Sequence, residues 1–122
     1  MKKRFFLTAV LFFVTGCVAY AQQKINKYCE VVVANKNGFT TKRIAKISFG
    51  DDKDLFAFKD TSVLQKLKIV NQLTTETDVL NYMSKIGWEL VNAHSASLYT
   101  TNEVFYFRKA FDSSDFAEPL SK

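Results

Sequence analysis

Between residues 29 and 109 the apolar positions change period several times, and each change marks an element. Cys29-Glu30-Val31-Val32-Val33-Ala34 is a β-branched run of strand type. It leads into Asn37-Gly38, and Asn-Gly between two strand-like runs predicts a tight hairpin, because a type I′ turn needs positive φ at both central residues. The return strand is predicted over residues 39–49. Lys42, Ile44, Lys46 and Ser48 share one of its faces, with Arg43, Ala45, Ile47 and Phe49 on the other. A strand carrying Lys42, Arg43 and Lys46 reads as a sheet edge, where charge discourages pairing with foreign chains.

After the polar turn Gly50-Asp51-Asp52-Lys53-Asp54 the pattern loses its period. Leu55, Phe56, Phe58, Val63, Leu64, Leu67, Ile69 and Val70 predict an irregular connection holding a short helix or strand. From Thr75 the period is helical. Thr75 suits the N-cap, Glu76 and Asp78 sit where carboxylates favour the helix dipole, and Val79, Leu80, Met83 and Ile86 form one apolar stripe with Tyr82 at its border. Gly87 suits the left-handed position just past the helix end. A helix of about eleven residues is marginal alone in water, so it must dock on a sheet. Residues 88–93 and 103–109 then predict two more strands, joined through a polar stretch, and the chain turns polar from Asp112, with Pro119. The expected fold is therefore α+β: a single domain over residues 22–111 in ββ-α-ββ order, a four-stranded antiparallel sheet with one main helix on it, and a flexible tail over 112–122.

That architecture leaves surface to cover. Three strands are apolar on both faces: Val31 and Val33 against Val32 and Ala34, Leu90 against Val91 and Ala93, Phe105 and Phe107 against Val104 and Tyr106. Four strands make a sheet about 19 Å wide, whereas one helix measures about 10 Å across. Either the 55–70 segment folds back over the remainder or a second protein surface does, which points to a homodimer or an envelope partner.

The first residues belong to a different pattern. Met1-Lys2-Lys3-Arg4 precedes an apolar run from Phe5 to Val18, and Ala19-Tyr20-Ala21 ends it, the three parts of a secretory signal. The run is shorter than the roughly 20 residues a spanning helix needs. A competing route reads Val14-Thr15-Gly16-Cys17 as a lipobox, with Cys17 acylated and the protein tethered to the membrane by lipid. Release after Ala21 makes the product periplasmic or secreted. The full chain carries 17 Lys+Arg and 12 Asp+Glu, net +5, but three of the cations are Lys2, Lys3 and Arg4, so the chain from Gln22 keeps 14 against 12, or +2. Export and so small an excess argue against nucleic-acid binding.

Cys29 and His94 are the cysteine and histidine of the mature chain. A thiol beside an imidazole is a nucleophile arrangement, which keeps a small enzyme open as the alternative to a binding module. Against it, Cys29 alternates with Val31 and Val33, the setting of a buried, inert thiol. Asp51, Asp52 and Asp54 crowd one loop, but the twelfth position counted from Asp52 is Val63 and not the glutamate of a calcium loop. No phosphate loop, nucleophile elbow or paired-histidine metal motif is present, so no cofactor or metal site is expected.

Gly87-Trp88-Glu89-Leu90-Val91 after an amphipathic helix, with Phe105-Tyr106-Phe107-Arg108-Lys109 closing the last strand, resembles a family of small exported bacterial domains of unknown function. Tyr28-Cys29-Glu30-Val31 and Leu80-Asn81-Tyr82-Met83 extend the resemblance over residues 28–109. It implies the fold and no activity. Gly87, Trp88, Gly38 and Cys29 are the structural residues this reading singles out, with Trp88 as the core keystone.

Overall fold

The computed structural model describes residues 23–36, 42–96 and 101–117. The leader with Cys17, the Asn37-Gly38 turn and Pro119 lie outside them. Strands β1 (Lys24–Asn35), β2 (Arg43–Ser48), β3 (Glu89–Ser95) and β4 (Glu103–Asp112) form one sheet in the order β2-β1-β4-β3, each pair antiparallel. β1 is twice the length of its β-branched run. Its polar first half finds partners along the far half of β4, where Ile25 faces Phe111 and Tyr28 faces Arg108.

The helix predicted after Thr75 is α2 (Glu76–Lys85), preceded by a shorter α1 (Ser62–Lys68). Thr75 caps α2, its hydroxyl accepting from the Asp78 N–H at 3.1 Å. Val79 and Met83 are fully buried, with Leu80 and Ile86 packed at the border of the core. Gly87 at φ +87° ends the helix. The Trp88 N–H then reaches back to the Met83 carbonyl at 2.9 Å, and the Gly87 N–H to Ser84 at 3.0 Å, the paired closure of a Schellman motif. Lys109 adds a cation there, donating to the Ile86 carbonyl at 2.9 Å.

The aperiodic connection does fold back over the sheet. Besides α1 it contains 3-10 turns at Lys53–Phe56 and Ile69–Gln72, and it buries Phe56, Phe58, Leu67 and Val70 against the inner face. That face presents Cys29, Val31 and Val33 of β1, Ala45 and Ile47 of β2, and Phe105, Phe107 and Phe111 of β4. The same connection closes the β2 edge. The Ala45 N–H donates to the Leu73 carbonyl at 3.1 Å and the Ile47 N–H to the Asn71 side-chain oxygen at 3.0 Å. Arg43 ties this corner together, paired with Glu76 and donating to the carbonyls of Val33 and Thr101.

Two expectations need correction. Residues 112–117 do not behave as the start of a tail: a 3-10 turn at Ser113–Asp115 brings Phe116 into a bridge with Phe58, and the two rings sit 4.7 Å apart. One phenylalanine in a polar run suffices, because its ring is shared with Phe111 and lies under the Lys27 ammonium at 4.8 Å. The outer face is also less apolar than the alternation implied. Val104 is buried there and Val32 half-buried, but they stand among cross-strand polar groups. Arg108 pairs with Glu89 at 3.2 Å, and the Tyr106 phenol bonds to the Glu30 carboxylate, which raises its pKa. Rows of this kind need no cover.

Candidate interaction surface

Register decides which β3 residues face the core. Leu90 is opposite Phe107 and Ala93 opposite Phe105, so both belong to the inner face, while Asn92 and His94 stand beside Tyr106 and Val104 on the outer one. Val91 is the extra residue of a bulge between Leu90 and Asn92. Every residue of β3 is exposed, Leu90 to 43% and Val91 to 49%. The neighbouring Phe105 and Phe107 are buried. The helical layer thus covers β2, β1 and β4 and stops short of β3, which matches the width argument made for a single helix.

Between α2 and the start of β3 lies a shallow groove of about 450 Å³, lined by Leu80, Ser84, Gly87, Trp88, Glu89, Leu90 and Phe107. It meets the sheet at Glu89 and Leu90, the first two residues of the edge strand β3. Charge is sparse in this part of the sequence: from Ile86 to Asn102 the one acidic or basic side chain is Glu89, which pairs with Arg108, while β4 brings Lys109 against Gly87 and Glu103 opposite Ser95. That gap in charge was the signal available in the sequence.

Two other hollows are occupied by their own contacts. One of about 410 Å³ lies over Phe58 and Phe111 with lysines and aspartates at its rim. There Asp60 accepts from the Ser62 N–H, Lys24 pairs with Asp112, and Asp112 and Asp115 form a reciprocal cap. The other, about 300 Å³ on the outer face, has Glu30 and Tyr106 satisfying each other.

The residues singled out from sequence separate cleanly. Trp88 is 4% exposed, its ring edge-on to Phe111 at 5.8 Å, and it forms one wall of the groove. Cys29 is buried among the core residues opposite Phe107. His94 stacks on Tyr106 at 5.9 Å on the other face. The Cys29/His94 pair is therefore not formed, since the sheet stands between thiol and imidazole. Asp52 accepts from the Asp54 N–H at 2.9 Å to cap a 3-10 turn, and no cluster of three metal-binding side chains occurs among the described residues.

Burial pushes the Cys29 thiol from an ordinary 9.0 up to about 12. A chain starting at Gln22, in which Cys29 is the one cysteine, should when folded resist a disulfide-exchange reagent such as DTNB at pH 8 and react with one equivalent in denaturant; rapid reaction without denaturant would place the thiol at the surface. The same shift has a sign in stability. The unfolded thiol loses its proton near 9 and the folded one near 12, so this contribution is intact below pH 9 and is lost as pH rises from 9 to 12.

Among known proteins, the chain matches no family model, no curated protein and no solved structure. Among the described residues no helix is long and apolar enough to cross a membrane.

Proposed function

We propose that the protein is an exported, non-enzymatic binding module of the cell envelope whose contact surface is the β3 margin and the groove beside it. One observation carries the reading: seven consecutive residues of a strand that flanks buried core phenylalanines are exposed, and among the described residues no segment hydrogen-bonds along this edge as Leu73 and Asn71 do along the opposite one. Such an edge is a pairing hazard unless it has a partner. The partner is an envelope protein or a second copy. The leader supports export, either by release after Ala21 or by a lipid anchor on Cys17, and the intact mass of the recovered protein separates the two.

The test is a photo-crosslinking side chain placed at Leu90 in the exporting cell, with Lys46 on the outer face of β2 as control. Position 90 should give a discrete adduct and position 46 none. No adduct from position 90, or equal adducts from both, would remove the β3 margin as the contact surface.

A further inference from the structure

We propose that the outer face of the β1–β2 hairpin docks on the surface of an anionic phospholipid bilayer, with Lys36, Lys42 and Lys46 on the phosphates and Ile44 between them at the acyl boundary. The small net charge of the chain conceals a segregation. Residues 22–49 hold six cations, Lys24, Lys27, Lys36, Lys42, Arg43 and Lys46, against the single acid Glu30, net +5; residues 50–122 hold 8 against 11, net −3. Half of the six are engaged within the fold. Lys24 pairs with Asp112, Arg43 pairs with Glu76, and the Lys27 ammonium lies over the Phe116 ring. Glu30 is taken by the Tyr106 phenol. Lys36, Lys42 and Lys46 are exposed, and none of them pairs with a carboxylate among the described residues.

Guarding the sheet edge does not account for these lysines. The outward N–H groups of Ala45 and Ile47 are already taken by the Leu73 carbonyl and the Asn71 side chain, and Lys46 stands on the face of the sheet, opposite Val32. The register runs on from Asn35 opposite Arg43 to Lys36 opposite Lys42, where the Lys36 N–H donates to the Lys42 carbonyl at 2.8 Å. Like charges facing each other across a ladder oppose folding, and an external anion between them offsets that repulsion. Ile44 is 37% exposed in the middle of the group, with half-buried Ala34 opposite it and half-buried Val32 alongside. Lysines around an apolar spot suit a membrane interface, where their aliphatic stems lie along the acyl boundary and their ammonium groups reach the phosphates. A soluble polyanion would engage the lysines and leave Ile44 in water. The hairpin lies at the sheet edge opposite β3, so this docking does not rest on the β3 margin.

The experiment is co-sedimentation of the processed chain from Gln22 with vesicles of phosphatidylcholine, either alone or mixed equally with phosphatidylglycerol. Binding is expected to the mixed vesicles and not to phosphatidylcholine, and it should fall steeply with added salt. Lys36→Gln, Lys42→Gln and Lys46→Gln together should lower the affinity about a hundredfold, the combined effect of three lysines at an anionic surface. Lys53→Gln, Lys59→Gln and Lys85→Gln together remove the same net charge from the helical side and should lower it by about threefold at most. Ile44→Asp should weaken binding about tenfold. The absence of binding to mixed vesicles at low salt overturns the proposal, as do equal losses from the two triple variants. Binding of polyphosphate that Ile44→Asp leaves unchanged, without binding to vesicles, overturns the bilayer as the partner. The salt dependence of the unsubstituted chain reads the electrostatic part with no variant that has to fold. A bilayer gives position 46 no protein partner, so the crosslinking control there stands and the two surfaces fail independently.

Discussion

Trp88→Ala is expected to remove about 3–5 kcal/mol of folding stability, the range for truncating a buried aromatic to alanine. Against the 5–15 kcal/mol typical of a small domain, that is about a fifth of the total at the least and nearly all of it at the most, and at the low end of that range part of the population should be unfolded at 37 °C. The size of the effect follows from position. Gly87 turns the chain back on itself at the end of α2, and the next residue must fill the corner between helix, β3 and β4. Trp88 does so with its ring edge-on to Phe111 and only 4% of its surface exposed. Alanine leaves a cavity there and also opens the inner wall of the groove. Trp88→Phe keeps an aromatic in the corner and should cost about 1–2 kcal/mol. Urea unfolding followed by far-UV circular dichroism measures both, and a loss below about 1 kcal/mol for Trp88→Ala would remove Trp88 from the core.

Where the signals are local, the sequence reads correctly. Everything that defines α2 lies between Thr75 and Trp88: the cap is seen in a hydrogen bond, the apolar stripe in the burial of Val79 and Met83, and the glycine in its positive φ. β2 is legible as an edge from Arg43 and Lys46. What closes that edge is not, because a backbone carbonyl at Leu73 and a side-chain amide at Asn71 leave no periodic trace. Faces across the sheet are legible only once the register is known. The bulge at Val91 shifts the alternation between Leu90 and Asn92, so counting along β3 from Trp88 puts His94 on the wrong face.

The interaction surface shows the same division. The charge-poor stretch around β3 is visible in the residues themselves. That β3 and not β1 forms the open margin depends on β4 returning to pair with β1, a contact between the two ends of the domain. No spacing rule carries that information. It comes from the whole hydrophobic face seeking one core.

Phe58→Ala tests the segment whose structure was hardest to read. It should cost about 3–5 kcal/mol, although the residue sits in a region with no clean period. Phe58 is the hub of an aromatic cluster, its ring 4.7 Å from both Phe111 and Phe116 and 5.7 Å from Phe56. Its backbone also forms the bridge that holds residue 116. Truncation therefore removes the ring and loosens the anchor of the C-terminal turn, so the 57–60 and 113–117 amides should exchange faster together. Leu55→Ala is the matched control three positions away. Leu55 is 56% exposed, and surface truncation of this kind stays within about 0.5 kcal/mol. Trp88 touches Phe111 in turn, so the tryptophan emission of Phe58→Ala reports whether the disturbance travels along the cluster. Equal stability of the two variants, measured by urea unfolding, would mean that the 50–74 connection lies on the sheet without being part of its core.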